Sequence, residues 1–389
     1  MHERMSRSGK ARALAGAVLL DLAVSPLFIW DTFTSRLAAE LGASDTALSV
    51  VIAVGLALFT VGVLAGGRIA DRVAPRGLAL LSAAGVVAGL AVSAAASSVP
   101  VLVLGFGVLL GAATGTGYAT AVRVATTVPT RRGMAVALVV SAYAAGAVVL
   151  APVADRLLVM VGRAGTFAAL AAVLGVTLIL AAVLLPGSTP DARTAPEASG
   201  PAVRHQAAIP ALWALFALGC APALVAFAHA GRFAGGPELA AIAVALLNAG
   251  NFVGRLVAGP ACDRVGTTRA LHATAAALVG ACLVLALSHH PWLSLAALLV
   301  LGAQYGALSV LTPLTTASAV PPARFGTAYG IVFSGWGVVG LTGPVAAAWL
   351  AGNTGYRPVA AALSVVGVLA WLATAWTLSA VRRATPAHE

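Results

Sequence analysis

Charge is what this sequence has least of. Asp, Glu, Lys and Arg make up 9% of its 389 residues, whereas 60% are hydrophobic and the mean hydropathy is +0.98. A soluble domain carries about 25% charged residues. A chain this poor in charge cannot coat a water-facing surface, so lipid must be its main solvent. Cysteine is also scarce. Cys220, Cys262 and Cys282 stand in or beside apolar segments, form no Cys-x-x-Cys pair and lie near no histidine or acidic cluster. They imply no disulfide framework and no metal site, and read as small residues facing lipid or other helices. No Gly-x4-Gly-Lys-Ser/Thr loop is present, which argues against direct ATP drive by this chain. Gly111, Gly115 and Gly117 match part of a dinucleotide loop, but no strand precedes them, and close helix packing explains them better. With no Ser/His/Asp set and no zinc spacing, the sequence reads as neither an enzyme nor a holder of a cofactor. The net charge of +11 is no sign of nucleic acid, because the basic residues are scattered singly between apolar runs and form no stripe.

What the sequence has instead is long apolar runs. A hydrocarbon core needs about 20 apolar residues per helix, and such runs fall near 13–30, 46–67, 78–97, 100–122, 133–154 and 164–186. A second set falls near 208–230, 238–260, 270–288, 291–315, 326–350 and 358–379. The first run follows Arg4, Arg7, Lys10 and Arg12 as in a signal peptide. Asp21 interrupts its centre, however, and no small-residue cleavage site follows, so it reads as a retained helix. The segment 187–207, with Pro190, Asp191, Arg193, Pro196, Glu197, Pro201 and Arg204, reads as a polar linker. The expectation is an all-α membrane protein of twelve transmembrane helices in two six-helix pseudo-symmetric bundles, 1–186 and 208–389. With the N-terminus inside, seventeen Lys and Arg residues fall on cytoplasmic segments and five (Arg36, Arg156, Arg163, Arg232 and Arg357) outside. Both termini are then expected in the cytoplasm of a protein that crosses the cell membrane many times.

The two halves resemble each other. Gly67-Arg-Ile-Ala-Asp71-Arg72 recurs 192 residues later as Gly259-Pro-Ala-Cys-Asp263-Arg264. Arg131-Arg-Gly-Met-Ala with Ser141 recurs 193 residues later as Arg324-Phe-Gly-Thr-Ala with Ser334, and Pro152 pairs with Pro344 at 192. One offset held across separate motifs implies two bundles of one ancestry, the arrangement in which one half can rock on the other. Gly67-Arg-Ile-Ala-Asp71-Arg72-Val-Ala-Pro-Arg76 resembles the signature loop of the major facilitator superfamily, although Ala74 and Pro75 replace part of its usual glycine and basic ending. A narrower resemblance is to the oxalate/formate antiporter and monocarboxylate transporter group. It rests on Leu27-Phe-Ile-Trp30 with Leu37-Ala-Ala-Glu40-Leu-Gly42, on Asn251-Phe-Val-Gly254-Arg255-Leu-Val-Ala-Gly259, and on Tyr329-Gly330-Ile-Val-Phe-Ser334-Gly-Trp336-Gly leading to Gly343-Pro344.

Only Asp21 and Arg255 are charged residues well inside the apolar runs. A lone charge at mid-bilayer costs at least ~2.5 kcal/mol, so such residues face a cavity or a partner. Counting helical rise from the flanking charges puts both at similar depth, roughly 12–14 Å in. Arg255 has no basic counterpart in the first half, where Val63 holds the equivalent position. Its guanidinium keeps its proton and offers a planar fork matched to carboxylate, and the group resemblance implies that it binds the substrate carboxylate. The competing reading is a structural arginine bonded to helix carbonyls or reaching the inner rim. Asn251 lies one turn before it on the same face. In some animal monocarboxylate transporters that position is an aspartate active in proton coupling, and here Asp21 is the candidate for the missing acid. A packing acid is the alternative. Trp336 stands where the oxalate exchangers carry a lysine, which favours a monoanion over a dianion. Tyr118, Tyr143 and Tyr305, with Gln304 and Asn248, are candidate cavity residues as well as ordinary packing ones. His229 reads as an interfacial histidine. The resemblance implies a gating role for Gly67, Asp71, Arg72, Arg76, Asp263 and Arg264. Asp71 in particular is expected to place its carboxylate on the orphan amides at the start of the eleventh span.

The reading that results is a secondary transporter of a small organic monocarboxylate, by proton symport or anion exchange. Its expected partners are the anion, protons and the lipid bilayer, and its working unit a monomer. The alternatives are an exporter of drugs or metabolites with the same fold, a membrane sensor that binds without moving its ligand, and an intramembrane enzyme.

Overall fold

Lipid offers backbone amides no hydrogen-bond partner, so a segment that crosses it must satisfy its N–H and C=O groups within itself. The computed structural model describes residues 7–128, 131–188 and 208–384, and among them every regular element is a helix. The first half contains α1 (Arg7–Ala23), ending in a single turn of 3-10 helix at Pro26–Ile29, and the short α2 (Asp31–Leu41). It continues with α3 (Asp45–Ala70), α4 (Pro75–Ala94) and α5 (Val99–Thr126). A continuous run, Arg132–Leu184, contains two helices joined at Gly162, whose φ of 68° and ψ of −177° are not helical. We number them α6 (132–161) and α7 (163–184). Only glycine takes that backbone geometry without strain. The second half contains α8 (Ala208–Ala234), α9 (Ala240–Val265), α10 (Thr267–Leu287), α11 (Pro291–Ala319), α12 (Phe325–Thr354) and α13 (Tyr356–Ala384). Setting aside α2, which is too short and polar to span, these are the twelve spans, each within a few residues of the apolar run that announced it. Most of the expected linker, 189–207, lies outside the described residues.

The surface confirms the solvent. Val159, Met160, Trp292 and Trp349 are each more than 70% exposed, which only an apolar surround tolerates at such frequency. Inside the helices, hydroxyls are satisfied locally. Ser309, Thr312, Thr315 and Thr316 of α11 each donate to the carbonyl four residues back, the partner nearest to hand where water is absent.

The described chain divides by packing into two compact units. Of the described residues, one gathers 7–128, 139–188 and 323–330; the other gathers 131–138, 208–322 and 331–384. Each unit therefore includes the opening turns of one helix from the other sequence half: α12 begins in the first unit, and α6 in the second.

Two features were not anticipated from the sequence. The first is α2. The second is a π-helical stretch in α5, Val103–Leu110, which presses Gly105 so close to α4 that an added Cβ would lie 2.7 Å from Ser93 Oγ and 2.8 Å from the Gly89 carbonyl. Besides Asp21 and Arg255, the charges expected well inside the spans, a third buried charge lies nearer a helix end. Because α5 continues to Thr126, Arg123 belongs to its last turn, where it is 8% exposed.

Candidate functional site

In the second unit, α9 and α11 touch through their backbones. A Cβ on Gly250 or Gly254 would collide with the carbonyl oxygens of Leu299 and Ala303, and one on Gly302 or Gly306 with those of Leu247 and Asn251. Two glycines four residues apart on each helix create this contact, the way small residues bring membrane helices together. Arg255 grows from this joint; the Cβ that Gly306 lacks would lie 3.0 Å from its amide nitrogen. Its Nε donates to Asn251 Oδ1 at 3.0 Å, and both residues are 9% exposed. The one-turn spacing on one helix face thus lets Asn251 orient the guanidinium.

Across from α9, the buried Tyr305 of α11 accepts a hydrogen bond from Trp336 Nε1 of α12 at 2.8 Å. Tyr305 precedes Gly306, whose backbone meets α9 at Asn251 and Arg255, so Arg255, Asn251, Tyr305 and Trp336 stand around one helix crossing. Phe227 meets Tyr305 edge-on at 5.9 Å, and Phe333 backs Trp336 at 5.3 Å. Gln304 turns instead to α8, donating to the Gly219 carbonyl at 3.2 Å. Asn248 is exposed and bonds its own helix at Val244.

His229 sits at a break in α8 (φ −130°, ψ 25°). Its Nε2 lies 3.1 Å from the Pro344 carbonyl, and its Nδ1 lies 3.2 Å from the Tyr356 hydroxyl. A carbonyl can only accept, so a neutral His229 carries its proton on Nε2 and accepts from Tyr356 at Nδ1. That is a structural bridge among α8, α12 and α13.

In the first unit, Asp21 is fully buried on α1. The helix is held on two sides by glycines. Gly117 of α5 admits Val24 and Leu20, and Gly146 of α6 admits the Leu22 carbonyl and Ser25 Oγ. Tyr118 and Tyr143 meet at 5.6 Å with planes at 81°. Phe59 lies against both, at 5.7 and 5.9 Å, and Phe28 lies 5.4 Å from Tyr143. The Tyr118 hydroxyl is 3.3 Å from that of Tyr329. The two tyrosines expected in a cavity therefore share one aromatic cluster.

Asp71 and Asp263, two of the residues expected in gating, stand at two related junctions. Asp71, just past α3, accepts from the amides of Gly326 at 3.0 Å and Thr327 at 2.8 Å, and from Thr327 Oγ1 at 2.7 Å. These are donors left open at the start of α12, as the sequence suggested. In the second unit, Asp263 accepts from the amides of Gly133 at 2.9 Å and Met134 at 3.0 Å, at the start of α6. Gly67 and Gly326 face each other so closely that a Cβ on either would overlap the other's carbonyl, and Gly259 and Gly133 do the same. Arg123 Nη1 lies 3.4 Å from Asp71 Oδ1. The sequence reading counted Arg123 only as an orientation marker; its lack of a basic partner at Thr315, 192 residues on, is the signal that would have singled it out. Arg72 and Arg264 are exposed beside their junctions. Arg76 sits elsewhere, donating to the Ala182 and Val183 carbonyls at the end of α7.

Among the described residues no group of three or more His, Cys, Asp or Glu could hold a metal ion. Comparison with known proteins bears on the whole chain. The sequence profile of the Major Facilitator Superfamily matches residues 15–235 and 221–389. No curated relative matches in sequence. Among solved structures, the human organic anion transporter MFSD10 is similar with a TM-score of 0.68 at 17% identity, covering 94% of this chain and 99% of that one. The proton:xylose symporter XylE is similar at 0.72 and 15%, covering 94% of each chain. The fucose:proton symporter FucP of E. coli is similar at 0.69 and 13%, covering 96% of this chain and 99% of its own. Identities this low speak for the fold alone.

Proposed function

The chain belongs to the major facilitator superfamily and is a membrane transporter, and on that premise we propose that it carries a small organic monocarboxylate anion by alternating access, as a proton symporter or anion exchanger. The observation that carries this reading is Arg255, a buried guanidinium oriented by Asn251 and flanked by Tyr305. A carboxylate docked on that fork gains two parallel charge-assisted hydrogen bonds, and an adjacent tyrosine hydroxyl can donate a third. The counterpart of a second cationic site is Trp336, engaged with Tyr305, so the neighbourhood is matched to one negative charge. Asp21 supplies the proton-coupling acid in this scheme. The segments 1–186 and 208–389 act as the two moving halves, joined by 187–207, with both termini in the cytoplasm and one chain as the working unit. Solved proteins of this fold include an organic anion transporter and proton symporters, which makes both parts of the reading compatible with the architecture.

The test is uptake of labelled short carboxylates into proteoliposomes, with and without a pH gradient. Wild-type protein should accumulate at least one of them. Arg255→Ala should reduce that uptake by about a hundredfold or more, because a charge-assisted pair is lost, and Arg255→Lys should also be severely impaired because an ammonium lacks the fork. Undiminished carboxylate uptake by the alanine variant would end the proposal. The cluster of Phe28, Phe59, Tyr118 and Tyr143 favours a second reading, a carrier of bulkier apolar or cationic compounds. Inhibition by lipophilic cations together with indifference to Arg255 would select it.

A further inference from the structure

Beside the Asp71 junction, a cavity of about 580 Å³ opens at the end of α3. Arg68 and Arg72 line it from α3 and the turn after it, and Arg324 lines it from the segment leading into α12. All three are exposed, and among the described residues none makes a side-chain hydrogen bond or ion pair. The carboxylate in the lining, Asp71, already accepts from Gly326 and Thr327 and faces Arg123. It therefore cannot neutralise three further guanidinium groups. What remains is a concave surface of unbalanced positive charge, which concentrates anions.

The shape of that charge selects among anions. A monocarboxylate brings one charge and suits one fork. Three planar donor groups around one opening suit a tetrahedral group with several anionic oxygens. The volume exceeds that of an inorganic ion and leaves room for a body attached to it. We propose that this cavity is a binding site for a phosphate-bearing anion, independent of the transported solute. Bound there, the phosphate group ties Arg68 and Arg72 to Arg324. It relieves the repulsion among them and holds the 323–330 segment against α3, strengthening the Asp71 junction. Two sources offer the same chemistry: the headgroup of an anionic phospholipid, and a soluble organic phosphate.

The experiment uses the purified full-length chain and does not depend on knowing its transport substrate. Pyrophosphate is titrated by calorimetry into protein in neutral detergent. In parallel, melting temperature is measured in nanodiscs of phosphatidylcholine alone or mixed with phosphatidylglycerol. The triple variant Arg68→Gln, Arg72→Gln, Arg324→Gln is compared with a control that removes as many charges elsewhere, Arg269→Gln, Arg382→Gln, Arg383→Gln. Pyrophosphate binding that weakens by about tenfold for each guanidinium lost, and that survives in the control, supports a soluble phosphate. A melting temperature raised by phosphatidylglycerol in wild type and control but not in the cavity variant supports a lipid headgroup. Absence of both responses in wild type, or equal responses in the cavity variant and wild type, or equal losses in the two variants, overturns the proposal. Should the glutamine variant fail to fold, the triple lysine variant keeps the charge without the forks. It must bind more weakly than wild type, and equal binding would refute the site.

Discussion

Asp21 is the residue on which the coupling part of the reading depends. It is a fully buried carboxyl on α1, and in the proposed scheme it takes up and releases the coupled proton. Asp21→Asn keeps the shape and hydrogen-bonding capacity of the protonated acid and removes only the titration. The variant should still exchange solute at equal concentrations on both sides, at a rate within about threefold of wild type, and should lose accumulation driven by a pH gradient. Accumulation that persists when the outside is acidified would show that the proton travels by another route. Asp21 and Arg255 could be picked out from sequence because charge inside an apolar run is rare enough to be conspicuous. Arg123 was missed for the opposite reason. Its apolar run ends at residue 122, and what singles it out is burial in the last turn of α5 and a tertiary pairing with Asp71.

At the scale of elements, the bilayer made the spans legible, since any segment that crosses it must be long, apolar and helical. The same demand hides what does not cross. α2 contains Asp31, Arg36 and Glu40 in eleven residues and has no hydropathy signal, yet it is tied to the rest of its unit by a network invisible in sequence. Glu40 accepts from Arg36 Nε and from Arg163 Nε, each at 2.7 Å. Arg163 also donates to the carbonyls of Ser93 and Ala96 where α4 ends, at 2.9 Å each, a favourable place for a cation. Hydrogen bonds from Arg163, then from Arg36, hold the Glu40 carboxyl below its ordinary value of 4.5. A lowered folded-state pKa means that the stabilisation is present above about pH 4.5 and is lost as pH falls through the folded value. Because Glu40 is partly exposed, the effect is modest. The wild type should melt at a higher temperature than Glu40→Gln at pH 6, by a degree or so, and the two curves should converge as the pH is lowered below 4.5. A gap that stays constant across that range would assign the stabilisation to packing instead.

At the scale of the whole molecule, the chain repeats itself, but not evenly. Both junctions set a carboxylate on two backbone amides, the carboxylates 192 and the amides 193 residues apart in sequence. The first adds the Thr327 hydroxyl and the Arg123 charge; at the second, Met134 stands in place of the threonine and Thr315 in place of the arginine. Removing charge from the richer junction should have the larger effect. Asp71→Asn is expected to slow transport by roughly tenfold or more while ligand affinity changes little, and Asp263→Asn to slow it less. Affinity and turnover measured on the same preparations decide this, and equal slowing by the two variants would show that the added contacts carry no weight.

The glycine crossings at these junctions also bear on how firmly the helices close on each other. A contact made of side chains gapes whenever a rotamer flips, on picosecond-to-nanosecond timescales. Where Gly67 meets Gly326, and Gly133 meets Gly259, main chain lies on main chain with no room for a methyl carbon and so none for water. There is no rotamer at those points to flip. Side-chain motion therefore cannot loosen either crossing.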